Sequence, residues 1–137
     1  MGENMYVKDR GEICPIYDTF NLFNRKWVIA ITMDLFNGCT HFYDFKNNNP
    51  GLSNHILSKT LQFMELNGII YKKVYEDRRE SSEYYLTEKG KKLNTIMYDM
   101  LLYSLDELNF SSLNDEKKKE LKNNYKKSLN IKEDECC

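Results

Sequence analysis

No stretch of this chain approaches the roughly 20 consecutive apolar residues that a helix needs to cross a bilayer, although apolar residues make up 41% of its 137 positions. The N-terminus also lacks the apolar core of a signal peptide, so no membrane partner is expected and the expected location is the cytoplasm, where thiols stay reduced. The four cysteines are then not read as a disulfide set. They lack metal-ligand spacing as well: Cys14 and Cys39 stand alone, Cys136 and Cys137 are adjacent, and no paired C-x-x-C occurs. Histidine is scarcer still, with only His41 and His55, and neither is set by sequence beside a nucleophile with an orienting acid. Without a glycine-rich phosphate loop or a carboxylate motif, no enzyme activity, metal or cofactor is expected. Excess charge is missing too. A net charge of −1 and a pI near 6.1 exclude a nonspecific nucleic-acid coat, so any contact with nucleic acid must be local.

What is present is enough length for one domain with appendages and, from Leu52 to Gly90, a run that predicts a capped helix, a hairpin and a second capped helix. Ser53 stands where a side-chain oxygen accepts from the first free amides, Leu52 staples onto Leu57, and Gly68 ends the segment. Leu57, Thr60, Leu61 and Met64 fall at helical spacing and predict one buried stripe. The other face carries Asn54, His55, Ser58, Lys59 and Gln62, side chains that reach base edges or phosphates in a major groove. Two strands follow, Ile69 to Tyr75 and Glu83 to Thr87, with Arg78 and Arg79 near the tip between them. Those guanidinium groups suit backbone phosphates or a minor groove, or else a solvated turn, because Glu76, Asp77 and Glu80 offset them. Across Ser53 to Leu86, Lys59, Lys72, Lys73, Arg78 and Arg79 are matched by Glu65, Glu76, Asp77, Glu80 and Glu83. A reading surface here requires the two signs to separate by position.

Residues 1–13 are polar and aperiodic and read as an arm. Cys14-Pro15 marks a helix start, and the first helix extends to about Phe23 with Ile16, Phe20 and Phe23 on one side. A second helix begins near Arg25 and Lys26. Trp27, Ile31 and Leu35, joined by Val28, Ile29, Ala30 and Phe36, predict that it is nearly all buried before Gly38 stops it. Thr40 is expected to cap a short helix bearing Phe42 and Phe45, and Asn47 to Gly51 supplies turn formers. Thr87 is expected to cap a long helix to about Asn109, with Gly90 approaching the sheet. Leu93, Ile96, Met97, Met100, Leu101, Leu105 and Leu108, with Tyr98, Leu102 and Tyr103, give this helix more apolar surface than one small domain covers. Either a second copy covers it, or the segment Asp115 to Leu129 folds back, with Leu121, Tyr125 and Leu129 as a narrow stripe among lysines. The expected class is mainly α with a small β-wing: a winged helix-turn-helix domain with dimerisation helices at 14–109, after the arm at 1–13 and before a lysine-rich helix and tail at 110–137.

The order Cys14-Pro15, Lys26-Trp27, Leu52-Ser53, then LSKTLQFMELNGII from Leu57 to Ile70 and EYYLTEKGKKL from Glu83 to Leu93, resembles the HxlR family of bacterial and archaeal winged-helix transcription regulators, related in fold to the MarR group. The resemblance spans roughly Cys14 to Leu108. It implies a homodimer that places two recognition helices, Ser53 to Asn67 here, and two wings, Tyr71 to Tyr85, on a pseudopalindromic double-stranded operator. It also implies, for some members, sensing of electrophiles or oxidants by the cysteine that matches Cys14. The residue physics agrees: a thiol at a helix cap faces free amides and the positive end of the dipole. Glu12 and Asp18 act against this, and a plain small cap is the other reading. Two features depart from the family pattern. The wing loop Glu76 to Ser82 lacks the usual prolines, and Phe63 and Leu66 sit where charge is usual, as if to meet the last helix.

The function expected is thus a dimeric sequence-specific DNA-binding regulator, with Ser53, Asn54, His55, Ser58, Lys59, Gln62, Arg78 and Arg79 on the duplex and Cys14 as a redox-responsive thiol. The alternative is a winged helix that docks proteins and binds no DNA. The aromatic content also allows a pocket for a small effector of unknown identity between the dimer helix and the reading domain.

Overall fold

The computed structural model describes residues 14–76, 82–108 and 112–132. Helix α1 (Pro15–Phe23) starts as the sequence predicts: Pro15 occupies the first turn, and the Cys14 sulfur accepts the Tyr17 amide at 3.4 Å. Its apolar side is covered only at the C-terminal end among the described residues: Phe23 packs against the core, whereas Ile16 is 82% and Phe20 52% exposed. Helix α2 (Val28–Phe36) supplies the floor of the core through Val28, Ile31, Thr32 and Leu35. It is less enclosed than expected. Ile29 lies at the surface, on a side of the helix that the described residues leave open. Gly38, at φ +97°, turns the chain out of α2, where only glycine enters the left-handed region without strain.

Helix α3 (Phe42–Asn48) corrects one detail. His41, not Thr40, is its N-cap, and its backbone amide is held by the Asp44 carboxylate at 3.2 Å. Thr40 instead turns its hydroxyl to the His41 ring at 3.1 Å, leaving its carbonyl to the sheet described below. The turn into the next helix is tied down by Asn49, whose amide group donates to Asp34 at 2.9 Å and to the Phe45 carbonyl at 2.8 Å. Burial outweighs those bonds at Asp34 and pushes its carboxyl above the usual range.

Helix α4 (Asn54–Leu66) forms where the cap and stripe put it. The Ser53 hydroxyl accepts the Ile56 amide at 3.1 Å, and Leu57, Thr60, Leu61 and Met64 are all buried. Gly68, at φ +74°, closes the helix. Strands β1 (Ile70–Val74) and β2 (Ser82–Leu86) then pair antiparallel, with Ile70 opposite Leu86 and Lys72 opposite Tyr84. A third short edge joins them: the Tyr84 amide donates to the Thr40 carbonyl at 2.8 Å, and His41 bridges to Glu83. The wing is thereby attached to the entrance of α3.

After the wing the expected long helix is interrupted. Thr87 caps only a single turn, α5 (Glu88–Lys91); the chain bends at Lys92, continues as α6 (Leu93–Tyr103) and ends in a π-helical turn at Ser104–Leu108. Gly90 explains the first turn. A Cβ there would lie 2.1 Å from the Ile69 carbonyl oxygen, so only glycine lets α5 sit against the start of β1. Helix α7 (Asp115–Ser128) folds back on α6. The Asn94 side chain donates to the Leu129 carbonyl at 2.9 Å, Lys122 pairs with Asp106 at 2.8 Å, and Leu129 enters the core. Among the described residues no helix is long and apolar enough to cross a membrane.

Candidate nucleic-acid interface

The stripe that buries α4 also fixes what the rest of the helix presents. With Leu57, Leu61 and Met64 turned inward, Asn54, His55, Ser58, Lys59 and Gln62 stand on the exposed side. None of these five side chains makes a hydrogen bond or an ion pair with another described residue, so their donors and acceptors are uncommitted. Ser53 is exposed too, but its hydroxyl already serves the helix cap. The six predicted residues of this helix and its cap therefore share one surface. Arg78 and Arg79 lie outside the described residues.

The strands carry cations that sequence reasoning counted but did not assign. Lys72 and Lys73 are exposed on β1, with the Lys72 ammonium 6.0 Å from the Tyr84 ring and that of Lys73 5.5 Å from Tyr75. Behind them lies a polar cluster that the sequence reading did not find. Glu83 accepts the Tyr75 hydroxyl at 3.0 Å and the Tyr85 hydroxyl in a shorter bond, and its other oxygen faces the His41 ring at 3.5 Å. Those bonds, Tyr85's first, hold the Glu83 carboxyl below its usual range. The same bond pushes Tyr85 up to about 12. His41 and Glu83 are far apart in sequence, and only the bridge at the edge of the sheet brings them together.

The thiols differ from one another. Cys14 is half-buried at the N-terminus of α1. Cys39, also half-buried, accepts the Asn48 side-chain amide at 3.4 Å; burial, aided by Asp34, pushes its thiol up, which favours the unreactive form. Cys136 and Cys137 lie outside the described residues. Among the described residues no group of histidine, cysteine and carboxylate side chains is arranged to hold a metal ion.

Two expectations about packing need correction. Phe63 does not meet the last helix: the Arg25 guanidinium covers its ring at 3.9 Å, so the aromatic side chain closes the gap between α4 and the turn after α1. Leu66 is 85% exposed. The cleft of about 610 Å³ beside Phe63 has mixed walls, Leu22 and Phe63 together with Asp18, Arg25, Asn67 and Lys89. The apolar hollow lies elsewhere, on α6, where Ile96, Met100, Tyr103 and Leu108 border about 510 Å³.

Comparison with known proteins gives concordant matches. The family model described as HxlR-like helix-turn-helix matches residues 22–111. The HTH-type transcriptional regulator YvaP of Bacillus subtilis is 32% identical over 90 residues, covering 65% of this chain and 83% of the relative. Among solved structures, the redox regulator HypR in its reduced form superposes with a TM-score of 0.61 at 26% identity, over 70% of this chain and 93% of that one. Quinone-bound YodB from B. subtilis superposes at 0.59 with 27% identity, over 67% and 97%.

Proposed function

This chain belongs to the HxlR-like helix-turn-helix family of transcriptional regulators, and from that premise we propose that it acts as a homodimer on a double-stranded operator. The observation that carries the reading is the face of α4 on which Asn54, His55, Ser58, Lys59 and Gln62 stand exposed with no partner among the described residues. In this reading those side chains enter the major groove and read base edges or phosphates, Ser53 presents the helix N-terminus to the backbone, and Arg78 and Arg79 grip flanking phosphates from the wing. The neutral balance of the unit makes binding depend on these few contacts rather than on a general field.

Dimerisation is supported by the apolar surface that the chain leaves open: Ile16 and Phe20 on α1, and Ile96, Met100, Tyr103 and Leu108 on and after α6. A second copy would cover both patches and set the two α4 helices about one turn of duplex apart, roughly 34–36 Å. The two redox-linked relatives extend the reading to Cys14, whose sulfur sits at the N-terminus of α1 and accepts the Tyr17 amide. Oxidation or alkylation there would act on α1, and so on the dimer.

Selection of bound sequences from a random duplex pool, followed by titration at fixed salt, tests the assignment. Lys59→Ala and Gln62→Ala are expected to weaken binding to the selected sequence by about 1 to 3 kcal/mol where the side chain reads a base, and by a similar factor on all sequences where it holds a phosphate. Unchanged affinity in both variants overturns the assigned face. Failure to select any duplex, together with salt-independent capture of another protein, favours the protein-docking alternative.

A further inference from the structure

We propose that Glu83 is the positioning residue of the wing, and that its contact with His41 makes the seat of the wing responsive to protonation. The proposal rests on the DNA-binding reading for one of its two readouts and on the chain alone for the other.

The geometry is specific. One carboxylate collects contacts from three parts of the chain: the Tyr75 hydroxyl, just beyond β1, at 3.0 Å; the Tyr85 hydroxyl on β2; and the His41 ring, at the mouth of α3, at 3.5 Å. Its side chain is 16% exposed and that of His41 43%. The wing otherwise joins α3 through the amide of Tyr84 on the Thr40 carbonyl, the bridge between His41 and Glu83, and the Phe45 ring set edge-on to that of Tyr84 at 6.3 Å. Glu83 therefore spans the joint about which the hairpin would rock, and each tyrosine bond fixes one strand end against it.

His41 lies between two carboxylates. Its other ring nitrogen is 3.6 Å from Asp44 and 3.1 Å from the Thr40 hydroxyl. A proton on the imidazole places a full positive charge against both acids and tightens the joint; its loss leaves Glu83 held by the tyrosines alone. Among the described residues the other charged group facing Glu83 is Lys73, directly opposite in the ladder, and Asp34 stands behind Asp44. Of these groups only the His41 ring stands between two carboxylates, and the response is assigned to it on that geometry. A carboxylate is also the group that this arrangement requires. Glutamine retains one acceptor oxygen for the tyrosines but gives no charge to meet the histidine.

The test uses the full chain with the selected duplex, and hydrogen exchange of the Tyr84 amide without DNA. Wild-type affinity is expected to rise about two- to fivefold from pH 8 to pH 6, the size of a half-exposed ion pair. Glu83→Gln keeps the pH 8 affinity and loses the rise; Glu83→Ala weakens binding at both pH values and speeds Tyr84 exchange. Measured against a His55→Gln reference, which removes the titratable group from the reading face, His41→Gln abolishes the rise. A rise that survives in that double variant overturns the proposal. So does Glu83→Ala with wild-type exchange at Tyr84. Should the wild type bind no duplex, the DNA reading fails; the seat is then judged by whether Tyr84 exchange slows from pH 8 to pH 6 in the wild type but not in His41→Gln, and its failure to do so overturns the proposal.

Discussion

Helices α4 and α6 are built from similar numbers of apolar residues, yet only one of them is finished within the chain. On α4, the stripe Leu57, Leu61 and Met64 is wholly buried and the far side is hydrophilic, apart from the exposed Ile56 and Leu66. On α6, Leu93 and Met97 are buried while Ile96, Met100 and Tyr103 stay in solvent, even with α7 folded onto the helix. The difference separates two uses of an exposed helix face. Uncommitted polar groups are at ease in water and available for exchange with another polar surface, such as a duplex. Uncovered apolar groups are disfavoured in water in proportion to their area, and so call for a permanent partner.

Charge placed in the open patch should break this contrast most severely. The double variant Ile96→Asp, Met100→Asp is expected to sediment at the mass of one chain and to lose operator affinity by about 100-fold or more, because two half-sites are then no longer engaged together. A wild-type mass for the variant would mean that the patch faces nothing. Next in size is the inner side of α4. Leu57→Ala should lower unfolding stability by about 2 to 5 kcal/mol, whereas Leu66→Ala, at the surface of the same helix, should stay within about 0.5 kcal/mol; paired urea titrations measure both. Equal losses would show that Leu66 is covered by something the single chain does not contain.

Ser53→Ala comes next, with about 1 kcal/mol expected from the lost cap. Its value is in separating stability from binding. If denaturant midpoints fall while affinity, corrected for the folded fraction, holds, Ser53 acts on the helix and not on the duplex.

The parts of this fold legible in the sequence are those set by neighbours within a few residues. Ser53 and Thr87 as caps, Pro15 in a first turn and Gly68 at a helix end each act through bonds spanning three or four positions, and the stripe on α4 is a matter of spacing. The close approach at Gly90 was legible as well, but not the break at Lys92 that follows it, because nothing in residues 88–103 interrupts the helical period. What failed depended on distant partners. Thr40 lost the cap of α3 to His41 because the Asp44 carboxylate takes the amide of residue 41 and the Thr40 carbonyl is claimed by Tyr84. Phe63 met Arg25 rather than the last helix, since the turn after α1 lies over that end of α4. For the interface, the α4 face was readable from periodicity, whereas the Glu83 cluster needed the strand register and the bridge to His41, neither of which has a local signal.

The smallest effect expected concerns that cluster and stability alone. A carboxyl held below its usual range contributes stability that is fully present above the ordinary carboxylate region and disappears as the pH falls through the lowered value. The stability of wild type minus that of Glu83→Gln should therefore shrink toward zero on acidification below about pH 5, a limb separate from the change that the His41 pair adds between about pH 8 and pH 6. Tyr85 has the opposite sign. Its hydroxyl, pushed up to about 12 by the bond to Glu83, adds stability while Glu83 is ionised and loses it as the pH rises from the ordinary tyrosine value of about 10 through the raised one. In Tyr85→Phe the acid limb should flatten, because Glu83 loses the donor that lowers it most. An acid limb left at full size in Tyr85→Phe would assign the effect to Tyr75 and His41, moving the centre of the seat from the β2 side of the wing toward α3.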